Sequence, residues 1–333
     1  MKFLSLLLAV SLSQTEVSHY EELLAKAQFT ELEQQIIRQP DYQQQSAVLI
    51  IYAKALISQQ RLDDANTLLD FAVTAFPDNS ELNYLAGLSK IRLARDGNVF
   101  AAKDRAARGV AMLQKAIALN PDNFLARQAL IDFYSIAPAA AGGDKTQARQ
   151  MAEKLAEDDP VQAALAQSRI LLNEKKTDEA LAVLDLYITE PPHPKLLARK
   201  AQILNDLSVF PAAFTNYQLL AEYATDLADK YGALYNIGRL AVIADQDIFA
   251  GISALQKYLE FYEHSENQHL NWATLRLAQL MYRAGDAEEA ILLINKLSSV
   301  RVNDEEFNLI LLSLSSALAQ KSKSDAIAEP EQL

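Results

Sequence analysis

A small residue recurs twelve positions before a proline at four places in this 333-residue chain. The pairs are Ala65 and Pro77, Gly109 and Pro121, Ala148 and Pro160, and Ala180 and Pro192. Apolar or aromatic residues follow each small residue by four and by seven positions, which places them on one face of an α-helix. Proline then ends the helix, because it has no backbone N–H and its ring clashes with the preceding turn. The spacing therefore predicts four helices that pack through the same face.

A second set of small residues lies twelve positions earlier still. The pairs are Ala53 and Ala65, Ser168 and Ala180, Ala201 and Ala213, Gly238 and Ala250, and Ala278 and Ala290. Two helices that are joined by a short turn approach closely only where their side chains are small, so each pair predicts a helix hairpin. In "RAGDAEEA", Gly285 is a helix stop and Asp286 an N-cap for the next helix.

These hairpins resemble the tetratricopeptide repeat, a helix–turn–helix unit of 34 residues. The resemblance covers about 46–297 and is carried by "NYLAGL", "YNIGRL", "DDANTLLDFAVTAFP" and "AEEAILLINKL". It implies an all-α protein, an α-solenoid of about seven such repeats. Degenerate terminal helices, "SHYEELLAKAQFTELEQQIIRQP" and "DEEFNLILLSLSSALAQK", extend the predicted solenoid to residues 14–320.

Two neighbouring hairpins carry insertions, near 91–108 and 137–145. Gly87 and Gly109 lie 22 residues apart instead of twelve, and Ile131 and Ala148 lie 17 apart. Because insertions in a solenoid project from one edge, we expect the two to stand side by side. The first insert has a local charge of +3, from five basic residues against two acidic ones. That charge suits an acidic partner or anionic lipid headgroups, and equally a solvated helix face.

The two ends of the chain lead to separate predictions. Residues 1–13, with one Lys before "FLSLLLAV" and small residues after it, have the layout of a signal peptide and predict a periplasmic or secreted protein. The alternative is a docking helix in a cytoplasmic protein. Residues 321–333 lack apolar periodicity and predict a disordered tail. No segment reaches the length of a membrane span.

Composition and motifs argue against catalysis and against several ligand classes. The net charge of −12 disfavours nucleic-acid binding, and the absence of cysteine excludes thiolate chemistry. His264 and His269 are five residues apart, which is not the i, i+4 spacing of a helical metal site, and "AAAGGDK" lacks the phosphate-loop spacing. We therefore expect no enzyme activity, no metal site and no cofactor, although a catalyst with an unfamiliar site is not eliminated.

The tetratricopeptide resemblance further implies that the first helices line an inner groove that binds a protein or peptide partner. Ligand contacts in that family usually come from first-helix positions three before and one after the small residue. The predicted contact residues, with neighbours on the same surface, are Tyr84, Gln128, Asp132, Arg169, Gln202, Asn205, Tyr235, Arg239, Trp272, Gln279 and Tyr282. The partner would lie in this groove, along the inserted edge, or both. The alternative is an accessory of polysaccharide or cell-wall machinery that contacts glycan through Trp272 and the tyrosines. The oligomeric state stays open.

Overall fold

A computed structural model describes residues 14–95, 99–298, 300 and 302–328, including the side chains of all of these except 99–100 and 322–328. The described residues form seventeen α-helices and two short 3-10 turns, with no β-strand among them. The chain divides into two compact units between Ile188 and Thr189. The predicted signal peptide lies outside the described residues.

The first unit contains five helix hairpins. Its α-helices are α1 (Gln14–Ala25), α2 (Phe29–Arg38), α3 (Ser46–Ser58), α4 (Leu62–Ala75), α5 (Ser80–Arg95), α6 (Val99–Leu119), α7 (Phe124–Ile136), α8 (Lys145–Asp158), α9 (Pro160–Asn173) and α10 (Thr177–Tyr187). Odd-numbered helices are the first helices of the hairpins and even-numbered helices are the second. Each first helix contacts its own second helix, and first helices of successive hairpins also contact each other.

The second unit contains three hairpins and a last single helix. Its helices are α11 (Pro194–Asp206), α12 (Phe210–Tyr223), α13 (Leu227–Ile243), α14 (Ile248–Phe261), α15 (Leu270–Ala284), α16 (Ala287–Ser298) and α17 (Glu305–Ala328). The same contacts recur, from α11 to α13, α13 to α15 and α15 to α17. Helices α3–α16 are therefore the seven predicted hairpins, and α1–α2 and α17 are the predicted terminal elements.

The small residues lie where the helices of a hairpin touch. Ala53, Ala65, Ala278 and Ala290 are fully buried. The closest approach is between α5 and α6, where a Cβ added at Gly87 would lie 2.8 Å from the carbonyl oxygen of Gly109. Since backbone atoms cannot move aside as a side chain can, only glycine suits this crossing.

One predicted pair is wrong by a single residue. In the α13–α14 hairpin the partner of Gly238 is Gly251, whose added Cβ would lie 2.3 Å from the Cβ of Ala241. Ala250 is only half-buried. The turn before α14 contains one residue more than the twelve-residue spacing allows, so the contact falls on the next residue.

A left-handed residue ends most of the first helices. Gln60, Lys175, Ser208 and Gly285 each lie seven residues after the small residue of their helix, and all have positive φ. The next residue donates its N–H to a carbonyl five positions back, as in Arg61 to Leu56 at 2.9 Å. This is the hydrogen-bond pattern of the Schellman motif, which satisfies carbonyls at a helix end. Asp286 then accepts the N–H of Glu289 at 3.0 Å, as its predicted capping role requires.

The first insert forms additional turns of two helices, and the second forms a tight turn. The first lengthens its hairpin, so α5 has 16 residues and α6 has 21. The second forms a 3-10 turn at Ala139–Ala141, and Asp144 donates its N–H to the carbonyl of Tyr134 at 2.9 Å. This turn contacts α6, the helix that contains the second half of the first insert.

Helix α17 continues to Ala328, into the segment for which the sequence predicts a disordered tail. The disorder of that segment stays a prediction. Lys and Ala are good helix formers, and a helix needs no apolar periodicity to extend a few turns beyond its packed portion. Residues 329–333 lie outside the described residues. In the described part of the chain, no helix combines the length and apolarity required to span a bilayer.

Two glycines in the second unit predict opposite effects on stability. Gly285 has a φ of +94°, so Gly285→Ala should lower the free energy of unfolding by about 1 kcal/mol. Gly232 lies inside α13 with open space around an added Cβ, so Gly232→Ala should raise it by about 0.5–1 kcal/mol. Urea denaturation measures both. Effects of the same sign would contradict the structure.

A second prediction concerns α16. Ala290→Leu should overpack its hairpin contact and lower the free energy of unfolding by about 1–3 kcal/mol. Leu292→Ala is the control, because Leu292 on the same helix is 56% exposed. Its replacement should change stability by about 0.5 kcal/mol or less. Melting temperatures that are equal for Ala290→Leu and the wild type would show that the repeat register is wrong.

Candidate partner-binding faces

Each unit has a face that is formed by its first helices. In the first unit these are α3, α5, α7 and α9, and in the second α11, α13 and α15, with α17 continuing the row. The residues that follow the small residues are partly solvent-accessible there, among them Asp132, Arg169, Gln202, Arg239 and Gln279. These faces contain the residues that the sequence predicted to contact a partner.

The face of the first unit is organised by ion pairs within the protein. Arg169 on α9 donates through Nη1 to Oδ2 of Asp132 on α7. One turn further along both helices, Asn173 Nδ2 donates to Ser135 Oγ at 3.0 Å. Lys54 on α3 pairs with Glu81 on α5 at 3.0 Å. These charged groups therefore already have partners in the protein.

Gln128 is half-buried one turn before Asp132 on α7. Tyr84 on α5 is partly buried and packs against the apolar core that includes α6, α7, α8 and α9. Burial, and then the Glu81 carboxylate, raise the pKa of Tyr84. Tyr84 is thus mostly a packing residue.

The second unit places Arg239 between two asparagines. Its Nη2 donates to Oδ1 of Asn205 on α11, and its Nε donates to Oδ1 of Asn236 at 3.2 Å. Burial, followed by the positive charge of Arg276, lowers the pKa of Arg239. Amide oxygens satisfy the guanidinium hydrogen-bond donors but do not neutralise its charge.

Arg276 on α15 lies between two aromatic rings. Its guanidinium carbon is 5.1 Å from the ring centroid of Tyr235 and 4.7 Å from that of Trp272. Its Nη1 also donates to the hydroxyl of Tyr235 on α13. Cation–π contacts of this kind hold a guanidinium in one orientation. Arg276 therefore links α13 to α15 at the exposed face.

The aromatic rings continue inward from this point. Trp272 donates its indole N–H to Asp304 at 3.2 Å and packs edge-on against buried Phe307 of α17. Tyr235 lies 5.3 Å from Tyr258 on α14. Burial raises the pKa of Tyr258, which stays protonated. The first-helix face is thereby anchored in the core of the second unit.

His269 adds a titratable group to the same cluster. Its ring centroid is 5.0 Å from that of Tyr235. Burial and then the Arg276 charge lower the pKa of His269 below its usual value. Both effects favour the neutral form of the ring beside Arg276.

The predicted residues fall into two groups, one in each unit. In the second unit Arg239 contacts Asn205, while Tyr235 and Trp272 both contact Arg276. Gln202 is exposed on α11, Gln279 is half-buried on α15, and Tyr282 has Lys321 Nζ 5.8 Å from its ring centroid. Tyr84, Gln128, Asp132 and Arg169 lie in the first unit.

Arg276 and Asn236 were missed because the prediction used only two positions of the first helix. Both lie two residues before the small residue, Asn236 before Gly238 and Arg276 before Ala278. In α15, the position three residues before the small residue Ala278 is occupied by Leu275, which is fully buried. The spacing of four between Trp272 and Arg276, on one helix face, was a usable signal.

Within the described residues, no group of three or more His, Asp or Glu side chains is arranged to hold a metal ion. His264 and His269 are both exposed, and His269 contacts the ring of Tyr235. The absence of a cofactor and of catalysis stays a prediction.

The Asp132–Arg169 pair predicts a measurable coupling energy. Both side chains are less than one-third exposed, at 23% and 31%. A double-mutant cycle with Asp132→Ala and Arg169→Ala, measured by unfolding, should therefore give a coupling energy of about 1–2 kcal/mol. The control pair, Asp104 and Arg108, is more than 60% exposed and should give about 0.5 kcal/mol or less. Equal coupling for both pairs would contradict the organisation of this face.

No family model matches the sequence, and no curated protein is significantly similar to it. Solved structures with a similar fold include yeast Tom70, at 16% identity and a TM-score of 0.46, covering 94% of this chain and 66% of that one. A tetratricopeptide repeat protein from Parabacteroides merdae has 13% identity and a TM-score of 0.38, with 90% and 98% covered. The Cut9–Hcn1 hetero-tetramer of APC/C has 13% identity and a TM-score of 0.45, and the match covers 91% of this chain and 56% of that one.

The fold assignment rests on the geometry of the chain itself. The two helices of a hairpin meet at small residues, and first helices of successive hairpins contact each other. Most first helices also end at a residue in the left-handed conformation. This chain has the all-α helix-hairpin fold of tetratricopeptide-repeat proteins.

Proposed function

We propose that this protein is a non-catalytic scaffold that binds a protein or peptide partner along the first-helix face of its second unit. The observation that carries this proposal is the network of Arg239, Tyr235, Arg276 and Trp272 across α13 and α15. Arg, Tyr and Trp are the residues that most often dominate protein–protein binding energy. Here they are half-buried. Arg239 is held by Asn205 and Asn236, and Arg276 by Tyr235 and Trp272, which lowers the entropy lost on binding.

The first-helix face of the first unit supports binding less well. Asp132, Arg169, Lys54 and Glu81 are already paired with each other. A partner would have to compete with these ion pairs for the same groups. We therefore assign the main contact to the second unit.

A glycan ligand is the alternative function, and the surroundings of Trp272 disfavour it. Sugar rings bind proteins by stacking on an open aromatic face. Arg276 covers one face of the Trp272 indole, Phe307 packs against it, and its N–H is bound to Asp304. The same arrangement suits peptide recognition, in which the guanidinium is the contact group.

We also propose that the protein is exported, on the strength of the signal-like residues 1–13. Mass spectrometry of the protein purified from its native host measures the mature N-terminus. A start near Gln14 is the expected result. An intact Met1 would contradict export and leave the binding proposal unaffected.

Site-specific photo-crosslinking tests the binding face. A photo-reactive amino acid replaces Gln202 or Gln279, both on first helices of the second unit, in the full-length chain expressed in its native host. The control position is Phe249, which is 76% exposed on the second helix α14. We expect one defined partner to be captured from Gln202 or Gln279 and not from Phe249.

Two results would contradict the binding proposal. Equal capture from Phe249 would show that contact is nonspecific. Capture from Lys54 or Leu88 in the first unit, without capture from Gln202 or Gln279, would place the partner on the other face.

A further inference from the structure

Helix α17 carries apolar side chains on two opposite faces. One face contains the buried residues Phe307, Leu314 and Leu318, and the helix contacts α15 and α16. The opposite face carries Leu309 and Leu312, which are 61% and 66% exposed. The last element of a repeat array ordinarily turns a polar face to water, because no further repeat covers it. The exposed leucines therefore mark a surface that is suited to contact with another molecule.

Six positions on this side of α17 form one narrow stripe, which we call the outer stripe. They alternate in spacing between four and three residues and are Glu305, Leu309, Leu312, Ser316, Ala319 and Lys323. At about 100° per residue, all six lie within about 80° of one another around the helix. The first five are solvent-exposed. Alternating spacings of three and four residues are the pattern of a seam between two packed helices.

The outer stripe is complementary to a second copy of itself that runs in the opposite direction. An antiparallel pair of helices that is centred on Leu314 places Leu309 of one copy opposite Ala319 of the other. The same register places Leu312 opposite Ser316. Each large side chain thus meets a small one, so the two helices can interdigitate. A two-fold axis repeats both contacts, as a symmetric dimer requires.

The charges at the two ends of the outer stripe favour the same arrangement. Glu305 lies in the first turn of α17, and Lys323 lies about five turns later on the same side of the helix. In the antiparallel register, the Glu305 position of each copy faces the Lys323 position of the other. A parallel pair would place Glu305 against Glu305, and such like-charge contacts are unfavourable. Charge complementarity therefore selects the antiparallel pair.

We propose that the outer stripe of α17 is a dimer interface, in which two copies of this chain pack their α17 helices antiparallel. The leucines supply the apolar area that is buried, and the opposite charges at both ends set the direction and the register. An anionic lipid surface is a poorer match, because Glu305 and Glu306 lie at one end of the helix. One helix pair buries less area than a standard interface, so the dissociation constant should be on the order of micromolar.

Sedimentation velocity of the full chain, at concentrations from about 1 to 200 μM, tests this inference. We expect monomer at the lowest concentration and dimer at the highest. Leu312→Lys should weaken dimerisation at least about tenfold, because each dimer loses the apolar contact twice and buries two charges. Lys is a good helix former, so α17 itself is retained. The matched control is Phe249→Lys, at a residue that is 76% exposed on α14, and it should leave the dissociation constant unchanged.

Charge reversal tests the antiparallel register. Glu305→Lys and Lys323→Glu should each weaken dimerisation about threefold or more, because like charges then face each other at both ends. A chain that carries both changes should dimerise like the wild type, since opposite charges meet again. In a parallel dimer, neither single change would alter the number of like-charge contacts.

Introduced cysteines measure the pairing directly, because the chain has none of its own. Oxidation of a mixture of Leu312→Cys and Ser316→Cys chains should give a disulfide-linked heterodimer, which mass spectrometry identifies. Glu305→Cys alone should give no linked dimer, because the two copies of that position lie at opposite ends of the helix pair.

Three results would overturn the inference. These are a chain that stays monomeric at every concentration, a dimer that Leu312→Lys and Phe249→Lys weaken equally, and a Glu305→Cys chain that links to itself as readily as the mixed pair. A monomeric chain that co-sediments with phosphatidylglycerol vesicles, and loses this binding through Leu312→Lys, would assign the outer stripe to a lipid surface instead.

Discussion

The close approach of two helices within each hairpin is the contact on which the rest of this structure depends. Gly87 and Gly109 meet backbone to backbone, and fully buried alanines such as Ala65 and Ala290 play the same part elsewhere. Where the crossing residues are glycines, a leucine four residues further on, Leu113 or Leu255, packs against the glycine of the first helix in the same hairpin. Since each hairpin cannot bury its apolar faces alone, stacking of repeats supplies the core.

This dependence explains why changes in length are tolerated in some places and not in others. Lengthening α5 and α6 together leaves the Gly87–Gly109 crossing intact, so the extra residues simply continue both helices. The additional residue before α14 has a different consequence, because it moves the crossing from Ala250 to Gly251. In each case the contact is preserved and the chain between the helices adjusts.

The exposed faces differ in charge although the two units share one architecture. In the first unit Asp132 and Arg169, at corresponding positions of neighbouring first helices, neutralise each other. In the second, the corresponding Gln202 is uncharged, and Arg239 binds Asn205 instead. A few substitutions on a common scaffold thus convert a self-paired surface into one with unsatisfied positive charge.

The sequence by itself determined the helical fold, the number of hairpins and the positions of the inserts. Close packing of two helices requires small residues at a regular spacing, and that spacing can be counted within each short segment of the sequence. It also placed Tyr235, Arg239 and Trp272 on an accessible face. Only the tertiary structure decided that Ala250 is not the contact residue, that α17 continues past residue 321, and that Arg276 lies between Tyr235 and Trp272. Which charges are neutralised depends on pairings between different helices, such as that of Arg169 with Asp132, 37 residues away, and helical periodicity carries no information about such pairings.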